Sequence, residues 1–223
     1  MLARQRRHGI MQQMTAIALS SRPFVPGTTG WTAHDLEDPR VDRLWFQGQF
    51  EIVNGVLTTM PPAYFPGTRS LFRLVFILTT ELERRHMNSD FGGETDIVID
   101  EDRVVRADAV WLTGNDLERQ REAARMAGKA DPGRTRILVP PTLAIESISP
   151  GHERHDERTK RRWYAEFGIP NYWILDGFAR SLKCLILKSG EYQVDCEGRA
   201  KDELRASLFP ELIIPLGQLW LDL

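Results

Sequence analysis

The chain has 223 residues, 42% of them hydrophobic, which supplies a core of ordinary size and predicts a soluble globular protein. Its 29 lysines and arginines are balanced by 31 acidic residues, so the net charge of −2 excludes binding of nucleic acid through a basic field over the whole surface. No apolar stretch reaches the roughly 20 residues that span a bilayer, which excludes membrane insertion.

Residues 1–30 lack hydrophobic periodicity and end in a region rich in proline and glycine, so we expect a flexible extension rather than a targeting peptide. A single domain is expected over residues 31–223. Cys184 and Cys196 flank a predicted hairpin, but a core of this size needs no disulfide. Reduced thiols and a cytoplasmic location are therefore expected.

Local patterns predict the first elements of the domain in chain order. Asn54-Gly55 separates two short β-prone runs, which predicts a hairpin with a type I′ turn. Apolar residues recur at helical spacing over Leu71–Leu82 and predict a long amphipathic helix. Residues 95–100 and 104–112 are predicted to form a second pair of strands. A surface helix with a solvated face is expected within residues 114–136.

The second half of the chain is predicted to form a strand-helix-strand crossover over residues 142–176. The helix is expected to end at Gly168 and Pro170, and two further strands follow it. Such a crossover usually joins parallel strands of one sheet. The fold class is therefore α/β (α+β), with a mixed sheet flanked by helices and an N-terminal hairpin.

Two acidic residues lie in the middle of apolar strands. Asp108 is in the segment VVRADAVWL and Glu146 in the segment TLAIESIS. An unpaired ionised carboxylate is costly in such a position, so each carboxylate needs a compensating group. That group is an arginine partner, solvent at a strand end, or a bound cation, and the residues alone leave these alternatives open.

A lysine is also predicted to point inward. In the helix predicted before Gly168, Lys160 precedes Trp163 and Tyr164 by three and four residues, so all three lie on the face that meets the core. A lysine on that face is expected to meet an anion. The anion is either a carboxylate of a site or Asp156, one helical turn earlier.

Asp108, Glu146 and Lys160 together indicate hydrolysis of a phosphodiester. Carboxylate oxygens suit Mg²⁺ or Mn²⁺, and such ions keep coordination positions for water and phosphate oxygens. A lysine beside them can orient a metal-bound water or stabilise the charge that develops on the phosphate.

Several segments resemble the Uma-two family of restriction-endonuclease-like proteins, a branch of the PD-(D/E)XK nuclease superfamily. They are FEIVNGVL followed by TMPP, VVRADAVWL, LAIESISPG, SLFPELIIPL and above all YAEFGIPNYWILD. The resemblance covers about residues 31–223. It implies a restriction-endonuclease-like core, in which a mixed sheet carries metal-binding carboxylates on adjacent strands.

The resemblance also assigns roles to individual residues. The family's Pro-Asp motif falls on Ala107-Asp108, its strand glutamate on Glu146, its lysine on Lys160 and its early glutamate on Glu51. By its position in the strand alone, Glu51 is expected to face solvent, and only the resemblance places it at a site. In most of the superfamily the lysine stands two residues after the glutamate, where this chain has Ile148. The resemblance implies that Lys160 reaches the same volume from the next helix.

The chain departs from the family pattern at two places. Ala107 stands where proline is usual, which leaves the neighbouring carboxylate in place. The histidine that often begins the helix after the Pro-Pro segment is missing, and Tyr64, Arg69 or Ser70 occupies that region. This loss is expected to affect the efficiency of catalysis more than the binding of metal.

The sequence therefore predicts a Mg²⁺- or Mn²⁺-dependent DNA endonuclease. Asp108 and Glu146 are expected to bind the metal, Lys160 to position the attacking water, and Glu51 to assist at the metal or at a second one. Phosphates of DNA are expected to contact Arg106, Arg154, Arg158, Arg161 and Arg162.

Three alternatives remain at this point. The arginines are equally well explained as a solvated helix face. A non-catalytic scaffold or binding protein with the nuclease fold would keep the same residues without cleaving, and a hydrolase of RNA or another phosphoester would use the same chemistry. A homodimer is expected from the resemblance, because restriction enzymes cut two strands with two sites.

Overall fold

The computed structural model describes residues 22–60, 64–128, 136–148 and 156–220, and for Asp156 and Glu157 only the backbone. The chain forms two compact units. The first takes in the chain up to residue 60 together with residues 100–104, and the second takes in residues 61–99 and 105–223. No helix within the described ranges is long and apolar enough to cross a membrane.

The first unit is built around the predicted hairpin. It contains a short 3₁₀ helix (Ala33–Glu37), α1 (Pro39–Gln47), β1 (Phe50–Val53) and β2 (Val56–Thr59). The turn residues Asn54 and Gly55 have φ of 50° and 74°, as the type I′ prediction requires. Ile52 of β1 pairs with Val104, which belongs to the same unit.

Residues assigned to the extension take part in this unit. The Gly27 amide donates to the Leu57 carbonyl at 2.8 Å, and the Leu57 amide donates to the Thr28 carbonyl at 3.0 Å. The described chain therefore joins the hairpin before residue 31. Residues 1–21 of the predicted extension lie outside the described residues.

The second unit contains most of the regular elements. Its helices are α2 (Phe65–Arg84), α3 (Gly114–Met126), a π-helical turn (Asp156–Lys160), α4 (Arg161–Phe167) and a 3₁₀ turn (Leu216–Gln218). The strands after the first hairpin are β3 (Ser89–Asp100), β4 (Arg103–Thr113), β5 (Leu143–Ser147), β6 (Asn171–Asp176), β7 (Ser181–Lys188), β8 (Glu191–Arg199), β9 (Glu203–Leu204) and β10 (Ile214–Pro215). Residues of β3 and β4 belong to both units.

The main sheet of the second unit is mixed. Its strands follow the order β4-β5-β6-β7-β8, and β3 pairs with β4. β5 and β6 are parallel, with Leu143 beside Asn171 and Ser147 beside Leu175, which confirms the predicted crossover. The pairs β4/β5, β6/β7 and β7/β8 are antiparallel. The predicted fold class, a mixed sheet flanked by helices, is confirmed.

Alternate residues of the central strands face different helices. One face packs against α2, and the side chains buried there include Leu74, Leu78, Leu82, Leu143, Ile145, Trp173 and Leu175. On the other face the rings of Tyr164 in α4 and Tyr172 in β6 meet edge to face, with centroids 5.3 Å apart. Since side chains alternate along a strand, Ala144 and Glu146 of β5 share the face that α4 covers.

The predicted surface helix is present as α3, but one side of it is buried. The Gln120 side chain donates to the Arg136 carbonyl at 2.7 Å and accepts from the Leu138 amide at 2.8 Å. Asp116 accepts hydrogen bonds from Thr113 and Thr142. The predicted solvated face is present, since Glu118, Arg121 and Arg125 are exposed, while the opposite side satisfies backbone and hydroxyl groups of neighbouring segments. Residues 129–135 lie outside the description.

The two cysteines lie directly opposite each other in the β7–β8 hairpin, and both are free thiols. Burial raises the pKa of the Cys184 thiol, and the hydrogen bond between the two thiols contributes in the same direction. The same hydrogen bond lowers the pKa of Cys196. The two thiols therefore differ in acidity although they occupy equivalent positions across the hairpin.

Replacing Gly168 by alanine is expected to destabilise the protein by about 1 kcal/mol. Gly168 ends α4 with φ of 88°, and its amide donates to the Tyr164 carbonyl at 3.0 Å. A β-carbon is strained in this left-handed conformation, whereas asparagine tolerates it better. Urea unfolding of Gly168→Ala and Gly168→Asn measures the difference, and an equal loss in both variants would contradict this explanation.

Candidate active site

Asp108 and Glu146 occupy facing positions on adjacent strands. Ala109 pairs with Ile145 in the antiparallel register of β4 and β5, and one further step of this register sets Asp108 opposite Glu146. The Ser147 amide donates a hydrogen bond of 2.6 Å to Asp108 Oδ2. Both carboxylates therefore belong to the sheet face that α4 covers, at the end of β5.

Glu146 is buried, with 3% of its surface exposed, and both of its oxygens receive a hydrogen bond. The Tyr164 hydroxyl donates to Oε1 at 2.6 Å, and Lys160 Nζ donates to Oε2 at 3.2 Å. A phenol and an ammonium therefore compensate the cost of burying this charge.

Lys160 is equally buried, with 2% of its surface exposed, so its predicted inward position is confirmed. Besides Glu146, its ammonium donates to the Arg106 carbonyl at 2.9 Å. The lysine thus links the π-helical turn before α4 to two strands, β4 and β5. Burying such a pair adds little net stability, but removing one partner leaves a buried charge that is costly.

Arg106 does not occupy the surface position that a phosphate contact needs. Only 6% of it is exposed, and its Nε lies 2.8 Å from Asp96 Oδ1. Arg136 Nε lies 3.2 Å from the other oxygen of the same aspartate. The prediction that Arg106 contacts DNA was therefore wrong, because a buried ion pair holds the guanidinium while the backbone carbonyl positions Lys160.

Three of the remaining predicted arginines lie on the exposed surface of the helical segment before Gly168. Arg158, Arg161 and Arg162 are exposed. Arg161 donates to the Tyr192 carbonyl at 2.6 Å, and Arg162 lies 3.6 Å from Glu166. Arg154 lies outside the described residues. The helical spacing that separated these arginines from the inward Lys160 is confirmed.

Glu51 belongs to the first unit. It lies in β1 opposite Thr58 and is buried, with 4% of its surface exposed. The solvent-facing position expected from the strand alone was therefore wrong. Its assistance at a metal stays a prediction.

The paired carboxylates fit a hard divalent cation that takes few protein ligands. Across the described parts of the chain, no three His, Cys, Asp or Glu side chains are grouped to hold a metal ion. Mg²⁺ is commonly bound by one or two carboxylates and completes its shell with water and substrate phosphates. Asp108 and Glu146 supply such a pair, so the residues present fit Mg²⁺ or Mn²⁺ rather than a cation that needs a full protein cage.

Sequence reasoning missed two contributors to this arrangement. Tyr164 was recognised only as a core residue, although its hydroxyl binds Glu146. Its position four residues after Lys160 was the available signal, since residues at this spacing share a helix face. The Ser147 amide, which binds Asp108, carries no signal in the sequence because every residue but proline has such a group.

Comparison with known protein families identifies the family of the chain. Residues 46–217 match the Uma2 family, described as "Putative restriction endonuclease". The chain belongs to the Uma2 family. The resemblance found in its sequence segments is therefore confirmed. No curated protein matches the chain.

A solved structure shares the fold of this Uma2 protein. It is a crystal structure from Anabaena variabilis ATCC 29413, described as a "putative nuclease belonging to DUF820". The similarity covers 78% of this chain and 90% of that chain, with a TM-score of 0.58 and 13% sequence identity. At this identity the likeness supports the fold.

Replacing Tyr164 by phenylalanine is expected to destabilise the protein by about 2 kcal/mol, because the buried Glu146 carboxylate loses a donor. Tyr192→Phe is the matched control, since that buried hydroxyl donates at 2.6 Å to a neutral acceptor, the Ile169 carbonyl. Burial raises the pKa of Tyr192, so its hydroxyl stays protonated. Chemical unfolding compares the two variants, and a loss in Tyr164→Phe no larger than in the control would contradict the role assigned to Glu146.

Proposed function

We propose that this Uma2 protein is a metal-dependent endonuclease that hydrolyses phosphodiester bonds of DNA. The observation that carries the proposal is the facing pair Asp108 and Glu146, with the Lys160 ammonium bonded to Glu146. Two carboxylates and one ammonium at the end of a buried strand are more than packing requires. Membership of a family described as "Putative restriction endonuclease" supports the same chemistry.

Each residue has a distinct task in this proposal. Asp108 and Glu146 would hold Mg²⁺ or Mn²⁺, which when bound acts as a Lewis acid and lowers the pKa of water. The Ser147 amide fixes the orientation of the Asp108 carboxylate. The Arg106 carbonyl and Glu146 hold the Lys160 ammonium, which can donate to the attacking water or to a phosphate oxygen and offset the charge that develops there.

The exposed arginines form the surface that would bind the phosphates of DNA. Arg158 and Arg162 point away from the core, and Arg154 precedes them in the chain. Contacts with phosphates carry no sequence information and weaken as salt concentration rises. The affinity for DNA is therefore expected to fall steeply with salt.

Incubation with supercoiled plasmid and with RNA, each with Mg²⁺, with Mn²⁺ and with EDTA, tests the function. Cleavage of plasmid that needs the metal and is lost in Lys160→Met and Asp108→Asn supports it. Glu51→Gln in the same assay tests the proposed assistance of Glu51. If only RNA is cleaved, the substrate is RNA rather than DNA. If neither substrate is cleaved with any metal, the proposed nuclease function is wrong.

The plasmid assay also tests whether the protein acts as the expected homodimer. Cutting both strands at one place needs two sites, whereas a single site nicks one strand. A dimer is expected to produce linear plasmid without an accumulated nicked form.

A non-catalytic protein with the nuclease fold is the second candidate. The observation that favours it is that both Glu146 oxygens already receive hydrogen bonds, from Tyr164 and Lys160. A protein of this kind would bind DNA without cleaving it under any metal. Binding measured by mobility shift, together with the plasmid assay, separates the two candidates.

A further inference from the structure

Three phenylalanines form an exposed stripe along the outward face of α2. Phe65, Phe72 and Phe76 are 68%, 70% and 64% exposed. At 100° per residue, the spacings of seven and four place them within about 40° of one another around the helix. The inward face of the helix carries Leu74 and Leu78, which are fully buried. We call Phe65, Phe72 and Phe76 the aromatic stripe.

Single exposed apolar side chains are ordinary, but a continuous row of large ones marks a binding surface. The stripe contributes nothing to the core, since Leu74 and Leu78 already anchor α2 to the sheet. Its exposure therefore calls for a ligand that covers phenyl rings.

The stripe begins near the end of β5, on the sheet face opposite the one that carries the candidate active site. A β-carbon at Gly67 would lie 2.8 Å from Ser147 Oγ, so the first turn of α2 touches the residue whose amide binds Asp108. The Tyr64 ring, just before Phe65, meets the exposed Phe178 ring edge to face, with centroids 6.0 Å apart. Aromatic surface therefore extends from this end of β5 along α2.

The charge around the stripe favours a polyanion. Residues 64–80 contain Arg69 and Arg73 and no aspartate or glutamate. Arg73 is exposed, and Arg69 is partly exposed with one guanidinium nitrogen bound to the Leu219 carbonyl. The positive end of the helix dipole lies at the same end as Phe65.

A second copy of the chain fits this surface poorly. A two-fold pairing centred on the stripe would place Arg69 and Arg73 of both copies around the axis. The acidic residues of α2, Glu81 and Glu83, lie beyond the stripe in the last turn of the helix, and Glu81 already binds Arg84 and Arg85. The charge therefore argues for a different occupant.

We propose that the aromatic stripe binds unpaired nucleotides of the substrate by stacking their bases on the phenyl rings, with Arg73 contacting a phosphate. The proposal rests on the proposed nuclease function and adds the class of substrate. Aromatic rings and arginines together are the usual means by which proteins hold single strands without reading sequence.

The spacing of the rings excludes a regular duplex as the ligand of the stripe. Phe72 and Phe76 are separated by a rise of about 6 Å, and Phe65 and Phe72 by about 10 Å. Bases in a duplex are about 3.4 Å apart, and their faces are covered by their neighbours. Only a strand whose bases are splayed apart offers one free face to each ring.

Fluorescence anisotropy with labelled single-stranded oligonucleotides of roughly 10 nucleotides, as DNA and as RNA, tests the proposal in EDTA. The double variant Phe72→Leu/Phe76→Leu keeps apolar bulk and removes two aromatic faces. Its affinity is expected to fall about 100-fold, or about tenfold per ring. Phe46→Leu is the matched control, because Phe46 is 68% exposed in α1, and it is expected to bind like the wild type. The DNA and RNA arms show which sugar the site accepts.

Four results would overturn the proposal. Two are affinities for nucleic acid: undiminished binding of single strands by the double leucine variant, or equal affinity of the wild type for the matching duplex. The other two are a dimer of the wild type in sedimentation that becomes monomeric in Phe72→Ala, and binding of the wild type to anionic vesicles that is lost in Phe72→Ala. The last two would assign the stripe to a second copy or to a membrane surface.

Failure of this proposal is distinguishable from failure of the nuclease function. Wild-type protein that holds single strands through the stripe but cleaves nothing with any metal would keep the stripe and remove the catalytic function. Plasmid cleavage together with unchanged single-strand affinity in the double leucine variant would do the reverse.

Discussion

Replacing Lys160 by methionine is expected to lower the rate of cleavage by at least about 100-fold and to destabilise the fold by about 3–5 kcal/mol. Methionine fills a similar volume without a charge. The Glu146 carboxylate then remains buried with the Tyr164 hydroxyl but without its cation, and the Arg106 carbonyl loses its donor. Loss of the ammonium also removes the positive charge proposed to act on the phosphate.

Plasmid cleavage and urea unfolding measure the two effects of Lys160→Met. Lys183→Met is the matched control, because Lys183 in β7 is partly exposed and its Nζ lies 4.0 Å from Glu197. Exposed pairs of this kind contribute about 0–1 kcal/mol, so the control is expected to unfold close to the wild type. Equal free energies of unfolding in the two lysine variants would contradict the cost of about 3–5 kcal/mol expected for loss of the buried ammonium.

Replacing Glu146 by glutamine is expected to abolish cleavage and to remove the stabilisation that a bound cation gives the fold. The amide oxygen can still accept from Tyr164, but it no longer neutralises Lys160 or binds Mn²⁺ as a carboxylate does. A cation present at about 100 times its dissociation constant stabilises a protein by about 2.7 kcal/mol. The wild type is therefore expected to melt at a higher temperature in Mn²⁺ than in EDTA, and Glu146→Gln at the same temperature in both.

Differential scanning fluorimetry with and without Mn²⁺ checks this expectation, and Glu197→Gln on the exposed hairpin is the control. A Mn²⁺-dependent rise in melting temperature that survives in Glu146→Gln would place the cation elsewhere. Combining Glu146→Gln with Lys160→Met is a further check. The double variant should lose less stability than the sum of the two single losses, because neither charge is then left alone in the interior.

The features that sequence predicted well are those whose signals are local. Asn54-Gly55 predicts its turn because few other pairs accept two consecutive positive φ angles. The spacing of Leu74, Leu78 and Leu82 predicts the buried face of α2, because that periodicity belongs to the helix itself. Lys160 was placed inward by the same argument. None of these inferences needs contacts between distant segments.

The partners of the site residues could not be predicted in this way. Asp108 meets Glu146 because of the register of β4 and β5, which joins segments 38 residues apart and depends on the packing of the whole sheet. Arg106 appeared to be a surface arginine, since nothing in its neighbourhood shows that Asp96 and Arg136 complete a buried ion-pair network. The sequence by itself determined the helix and strand periods, the inward lysine and the family, because these depend on residue order and local geometry. Only the tertiary structure decided which charges are buried together, because a buried charge takes its partner from wherever the fold brings one within hydrogen-bonding distance.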